Sequence, residues 1–118
     1  MLKKLNSTLL LLIVMTGTWA QTITVDQLVG EWTFTAWAEK DEPQNLTAVG
    51  VKMEFRSDGT IINILANGEQ TEATYSMNGD TITYVDERSE QAWKILTFVP
   101  GEKLVVENSG TLMFLERS

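Results

Sequence analysis

The sequence predicts an all-β domain of eight antiparallel strands, running up and down in chain order and closing into a barrel behind a short helix. Three observations predict it. Beyond residue 30 apolar residues recur at alternate positions in short stretches, and nearly every stretch is followed by a tight turn built on Gly with Asn, Asp, Ser or Pro. Such turns leave no room for crossovers, so spatial order should follow chain order. A flat sheet of eight strands would expose two long edges, and closure removes both.

A leader comes first. Lys3 and Lys4 precede the apolar run Leu9 to Met15, and small residues at Thr18 and Ala20 follow. This is the pattern of a secretory signal peptide over residues 1–20, with cleavage expected before Gln21. The run is too short to cross a bilayer, which takes about 20 residues. The 118-residue chain has no cysteine, which excludes both a lipid-modified cysteine and a disulfide framework. Residues 21–118 are expected as one exported domain, periplasmic or secreted, with no transmembrane anchor.

The elements of that domain follow in order. Thr24-Val25-Asp26-Gln27 has the spacing of a capping box and should start one or two helical turns, which Gly30 ends. Trp32, Phe34, Ala36 and Ala38 then alternate with Glu31, Thr33, Thr35 and Trp37, giving a first strand that faces the core through its even positions. Residues 39–47 form a polar loop. Val49, Val51, Met53 and Phe55 define the second strand, which runs into the turn Ser57-Asp58-Gly59. Thr60 to Ala66 is the third strand, and Asn67-Gly68 and Asn78-Gly79 read as hairpin turns with positive backbone angles. Between them Thr71, Ala73, Tyr75 and Met77 mark the fourth strand. Thr81 to Val85, Gln91 to Val99, Leu104 to Glu107 and Thr111 to Glu116 complete the eight. In Gln91 to Val99 the apolar residues occupy both faces, which a β-bulge would reconcile.

Composition removes most chemistry. With no histidine and no cysteine, Ser-His-Asp and Cys-His nucleophiles, thiol redox and ordinary zinc or copper sites are excluded, so the protein is not expected to be an enzyme. Glu31, Glu54, Glu72 and Glu107 fall opposite the apolar faces and read as solvated charges rather than a catalytic pair. Asp80, Asp86, Glu87 and Glu90 lack the spacing of a calcium loop and read as an exposed charged bend. No metal and no cofactor is expected. Loss of the leader removes two lysines, leaving seven basic and sixteen acidic residues, a net charge of −9. The remaining cations are scattered singly, a poor match to a phosphate backbone, so nucleic acid is not an expected partner.

Aromatic and methionine side chains carry the positive signal. Phe34, Val51, Met53, Phe55, Tyr75, Met77, Tyr84 and Trp93 are candidates to line an apolar ligand site, with a tyrosine as polar handle. Phe114 belongs to the same group of strand aromatics. The same residues would serve to fill a core; packing is expected near Trp32, and a pocket near Val51, Met53, Tyr75 and Tyr84. By its parity Trp37 faces outward and marks a possible protein contact, unless a bulge turns it in.

Signal peptide, short helix, Gly30-Glu31-Trp32 at the head of the first strand, eight meander strands and a last strand ending Phe114-Leu115-Glu116-Arg117 together resemble the small secreted lipocalin-like domains of bacteria, calycin-type β-barrels. The resemblance implies that Gly30 lets the helical turn pack across one end, that Trp32 seals that end, and that Arg117 lies over the Trp32 ring. It implies non-catalytic binding of a small hydrophobic or amphipathic molecule at the other end. The alternative is an envelope protein-interaction module with a filled barrel and no small-molecule ligand.

Overall fold

The computed structural model describes residues 23–118; the expected signal peptide lies outside them. Helix α1 (Val25–Leu28) is a single turn. Gln27 Oε1 accepts from the Thr24 N–H at 3.0 Å, and the Gln27 N–H donates to the Thr24 carbonyl at 3.1 Å. The Gln27 half of the expected capping box is therefore in place.

Eight strands follow: β1 (Gly30–Glu39), β2 (Thr47–Phe55), β3 (Thr60–Ile64), β4 (Gln70–Asn78), β5 (Thr81–Val85), β6 (Glu90–Val99), β7 (Lys103–Asn108) and β8 (Thr111–Arg117). Each pairs antiparallel with its chain neighbour, and β8 pairs with β1, so the sheet is a closed up-and-down barrel. The hairpin tips differ in one respect from the sequence reading. Among the described residues Ser109 is the one non-glycine with positive φ, so Asn67 and Asn78 stay in ordinary conformations and only the following glycines are positive. At the β4–β5 tip, Asn78 pairs with Thr81, which leaves Gly79 and Asp80 as a two-residue loop with Gly79 at φ 66°.

Two bulges correct the simple alternation. In β6 the register shifts between Ile95 and Thr97. Leu96 is left 46% exposed and Phe98 turns into the core, as the two-faced pattern of this segment required. In β1 the shift falls at Thr35: Phe34 lies across from Leu115, but Ala36 lies across from Phe114. Directly opposed residues share a face. Beyond Thr35 the inward parity thus passes from even to odd positions, and Trp37 stands across from Met113 and Thr47. Trp37 is half-buried and turned inward, whereas Ala36 and Phe114 occupy the opposite face; Ala38, across from Leu112, is nevertheless fully buried. The even-position expectation holds for Trp32 and Phe34, and Ala38 is buried as expected, but at Ala36 it fails and Trp37 takes the inward place.

The interior is packed at one end. Leu28, Trp32, Phe55, Ile61, Ile82, Leu104, Val106 and Leu115 are essentially inaccessible. Leu28 comes from α1 itself and the others from the first halves of β1, β3 and β5, from β7, and from the ends of β2 and β8. At the other end Phe34, Val51 and Met113 are only partly covered.

Candidate ligand cavity at the open end

The closed end is organised around Arg117. Its guanidinium lies 4.2 Å from the Trp32 ring centroid and donates to the carbonyls of Val29 (3.0 Å) and Gln27 (3.3 Å). The Trp32 indole N–H donates to the Leu28 carbonyl at 2.8 Å. A last-strand cation thus satisfies carbonyls at the end of α1 that no helical bond can reach. Stacking of guanidinium on indole contributes about 0.5–2 kcal/mol. Gly30 has φ 130°, a conformation that side-chain-bearing residues rarely adopt, and a Cβ there would also push the Arg117 Nη1 from its place. Gly30, Trp32 and Arg117 therefore stand in the closing arrangement that the resemblance implied.

Above this plug the interior opens into a cavity of about 260 Å³. Of the eight candidate ligand residues, Phe34, Val51, Met53, Tyr84 and Trp93 line it. Phe55, Tyr75 and Met77 do not. Phe55 packs edge-on against Tyr75 with centroids 5.1 Å apart, and the Tyr75 hydroxyl donates to the Arg56 carbonyl at 2.6 Å, toward the closed end. Met77 packs against the same core. Phe114 faces away from the cavity, across from Ala36 and Val105.

The cavity adds residues that periodicity did not single out: Asn63, Asp86, Gln91, Met113 and Leu115. Asn63 is the most informative, only 8% exposed. Its Nδ2 donates to the Tyr84 hydroxyl at 3.0 Å, and no described residue donates to its Oδ1. Its one sequence signal was a polar residue at an inward position among the isoleucines of β3. Tyr84 stacks on Trp93 with centroids 4.7 Å apart and rings 16° from parallel. The Trp93 indole N–H and the Asn108 amide both donate to Gln91 Oε1, at 2.8 and 2.9 Å, and Gln91 Nε2 donates to Ser89 Oγ at 3.1 Å. Gln91 is thus a support whose bonds hold Trp93 in place.

Asp86 sits where the cavity meets the β5–β6 loop. Its Oδ1 accepts from the Arg88 N–H (2.8 Å), the Ser89 N–H (2.9 Å) and the Ser89 hydroxyl (3.4 Å). These backbone donors hold its carboxyl below the usual range, so it is charged at neutral pH. Burial pushes the Tyr84 hydroxyl up; the Asn63 bond opposes it, and the charge of Asp86 and its side-chain hydrogen bond to Tyr84 add smaller raising effects. Burial likewise raises Tyr75, with a further contribution from Asp58.

Beside the cavity the barrel wall is incomplete. Thr74 pairs with Val85 at the end of β5, so residues 70–73 of β4 run on without a β5 partner. A broad surface groove opens there, lined by Leu65, Thr71, Glu72, Tyr84, Asp86, Glu87 and Arg88. Among the described residues no group of three or more His, Cys, Asp or Glu is placed to hold a metal ion. Glu31, Glu54 and Glu107 pair with Lys52, Arg56 and Lys40 at 3.3–3.6 Å, part-exposed pairs worth about 0–1 kcal/mol each. No described helix is long and apolar enough to cross a membrane.

Comparison with known proteins agrees with this architecture. A lipocalin-like protein from Bacteroides uniformis superposes with a TM-score of 0.65 at 18% identity, over 78% of this chain and 99% of that one. An uncharacterized protein from Bacteroides eggerthii does so with a TM-score of 0.62 at 13% identity, over 76% and 98%. At these identities the likeness concerns the fold. No curated protein sequence matches the chain. The lipocalin-like domain family matches residues 28–106, from the end of α1 through most of β7. With that match over more than half its length, the chain belongs to the family of lipocalin-like domains.

Proposed function

We propose that this protein is a non-catalytic carrier of one small, apolar or amphipathic molecule held in the open-end cavity, and that it is exported by the leader at residues 1–20. The observation that carries the reading is the partition of the interior. A barrel with a purely structural core would be filled throughout, whereas here a sealed, packed half supports an apolar cavity containing one buried amide with unused bonding capacity. Few convergent polar groups in an apolar pocket are the usual design of a small-molecule site. The volume lies just under the ~300–1,000 Å³ of drug-sized sites, while an apolar cavity of ~150 Å³ already accepts benzene. A substituted single ring or a short branched chain is the right scale.

The alternative of a filled interaction module loses its main support, since Trp37 is turned toward Met113 rather than presented to solvent. Native mass spectrometry of the protein purified from its own host tests the proposal. A released small molecule of matching size is expected. A strictly ligand-free protein that also takes up no small apolar compound would refute it.

A further inference from the structure

Resting on that reading, we propose that the ligand is an amine: a small apolar body, preferably aromatic, carrying a cationic or strongly donating nitrogen that is held between Asn63 and Asp86. A ligand with a carboxylate is selected against.

The cavity lining contains no cation. Arg117 is committed to the closed end, and Lys40, Lys52 and Arg56 pair with glutamates. Lys94 and Lys103 are exposed on the outer wall. A carboxylate entering this space would meet no positive partner and would lose its hydration uncompensated. Among the described residues Arg88 is the one cation near the mouth; it lies in the adjacent groove with Glu72, Asp86 and Glu87, so acids outnumber it three to one there.

Two acceptors converge instead. The Asn63 amide is over nine-tenths buried, lines the cavity, and has an oxygen to which no described residue donates. An unmet acceptor of this kind invites a donor from the ligand. The Asp86 carboxylate lines the same cavity; its bonds to the loop all fall on Oδ1, and its other neighbour is the Tyr84 hydroxyl, so a ligand nitrogen would share the carboxylate with that single side-chain donor. Between them stands Tyr84, stacked flat on Trp93. Tyr84 bonds to Asn63 through its hydroxyl, so it and Trp93 present an aromatic wall beside both acceptors. An aromatic face stabilises a nearby ammonium as well as an apolar ring.

The experiment uses three probes of one shape: 2-phenylethylamine, 2-phenylethanol and phenylacetate, titrated calorimetrically into the mature protein. The amine is expected to bind at least about tenfold more tightly than the carboxylate, with the alcohol between them. That ratio should shrink as salt rises, because the mouth is open to screening. Asp86→Asn keeps the Oδ1 acceptor of the turn and removes the charge, and it should reduce the amine-to-carboxylate ratio at least threefold. Asn63→Leu should weaken amine and alcohol alike. If the alcohol binds but the carboxylate equals or exceeds the amine, or if Asp86→Asn leaves the ratio unchanged, the amine assignment is overturned while the carrier reading stands. If none of the three binds, both fall.

Discussion

Tyr75 and Tyr84 stand directly across from each other on β4 and β5, yet their hydroxyls serve opposite ends of the barrel. Tyr75 donates to the Arg56 carbonyl in the turn at the closed end, while Tyr84 bonds to Asn63 at the cavity. One cross-strand pair therefore marks the level at which packed core gives way to the open-end cavity.

That division predicts different phenotypes for two identical substitutions. Tyr75→Phe leaves the Arg56 carbonyl without its donor and should cost about 1–2 kcal/mol in urea unfolding, with 2-phenylethanol affinity within twofold of the parent. Tyr84→Phe should instead change that affinity severalfold, because it frees the Asn63 amide. Equal binding effects from the two would contradict the division.

Both tyrosines should titrate above pH 10. A hydroxyl whose folded pKa is raised contributes stability that is complete below the unfolded value and lost as pH climbs through the folded one. Alkaline unfolding is thus expected to follow phenolate formation, and absorbance at the phenolate band should lag that of free tyrosine. A midpoint at or below 10 for either tyrosine would argue against its burial.

Asp86 has the opposite sign. Its folded pKa is depressed, so its contribution is present above the ordinary carboxylate value and disappears as pH falls through the folded value. The Arg88 and Ser89 amide resonances should shift together on acidification below pH 4, and Asp86→Asn should abolish that shift. Independent behaviour of the two amides would show that the carboxylate does not hold the turn.

The closed end should be the most expensive place to alter. Trp32→Ala is expected to cost about 3–5 kcal/mol as a large-to-small core change. Gly30→Ala combines a strained backbone with overlap of the Arg117 guanidinium and should cost upward of about 1–3 kcal/mol. In Arg117→Leu, Gly30→Ala should cost measurably less, since the overlapped group is gone. Additive effects in the double variant would disprove the contact.

Filling the cavity should abolish binding with little loss of stability. Val51→Trp places an indole into the 260 Å³ space, and unfolding midpoints are expected to stay near the parent value while 2-phenylethanol binding is lost. A large drop in stability would mean that the space is not there.

Sequence alone determined the architecture, because the signals for it are local. Period-two patterning defined eight strands, glycines marked the turns, and short links allowed only neighbour-to-neighbour pairing. The closing set of Gly30, Trp32 and Arg117 was legible through resemblance. The β6 bulge was legible too, from apolar residues on both faces of one strand. What alternation gives is the face of the sheet, not the height along the barrel. Phe55, Tyr75 and Met77 face inward as expected, but strand tilt and register deliver them to the packed half, while Met53, Tyr84 and Trp93 reach the cavity. Trp37 shows the second limit. One extra residue at Thr35 brings Trp37 inward and takes Ala36 outward, and the pairing with β8 that reveals it joins segments some 80 residues apart in sequence. Asn63 shows the third. A polar residue in a strand becomes a candidate binding group only when closure buries it beside Tyr84 with no donor to its oxygen among the described residues, and that is a property of the assembled barrel.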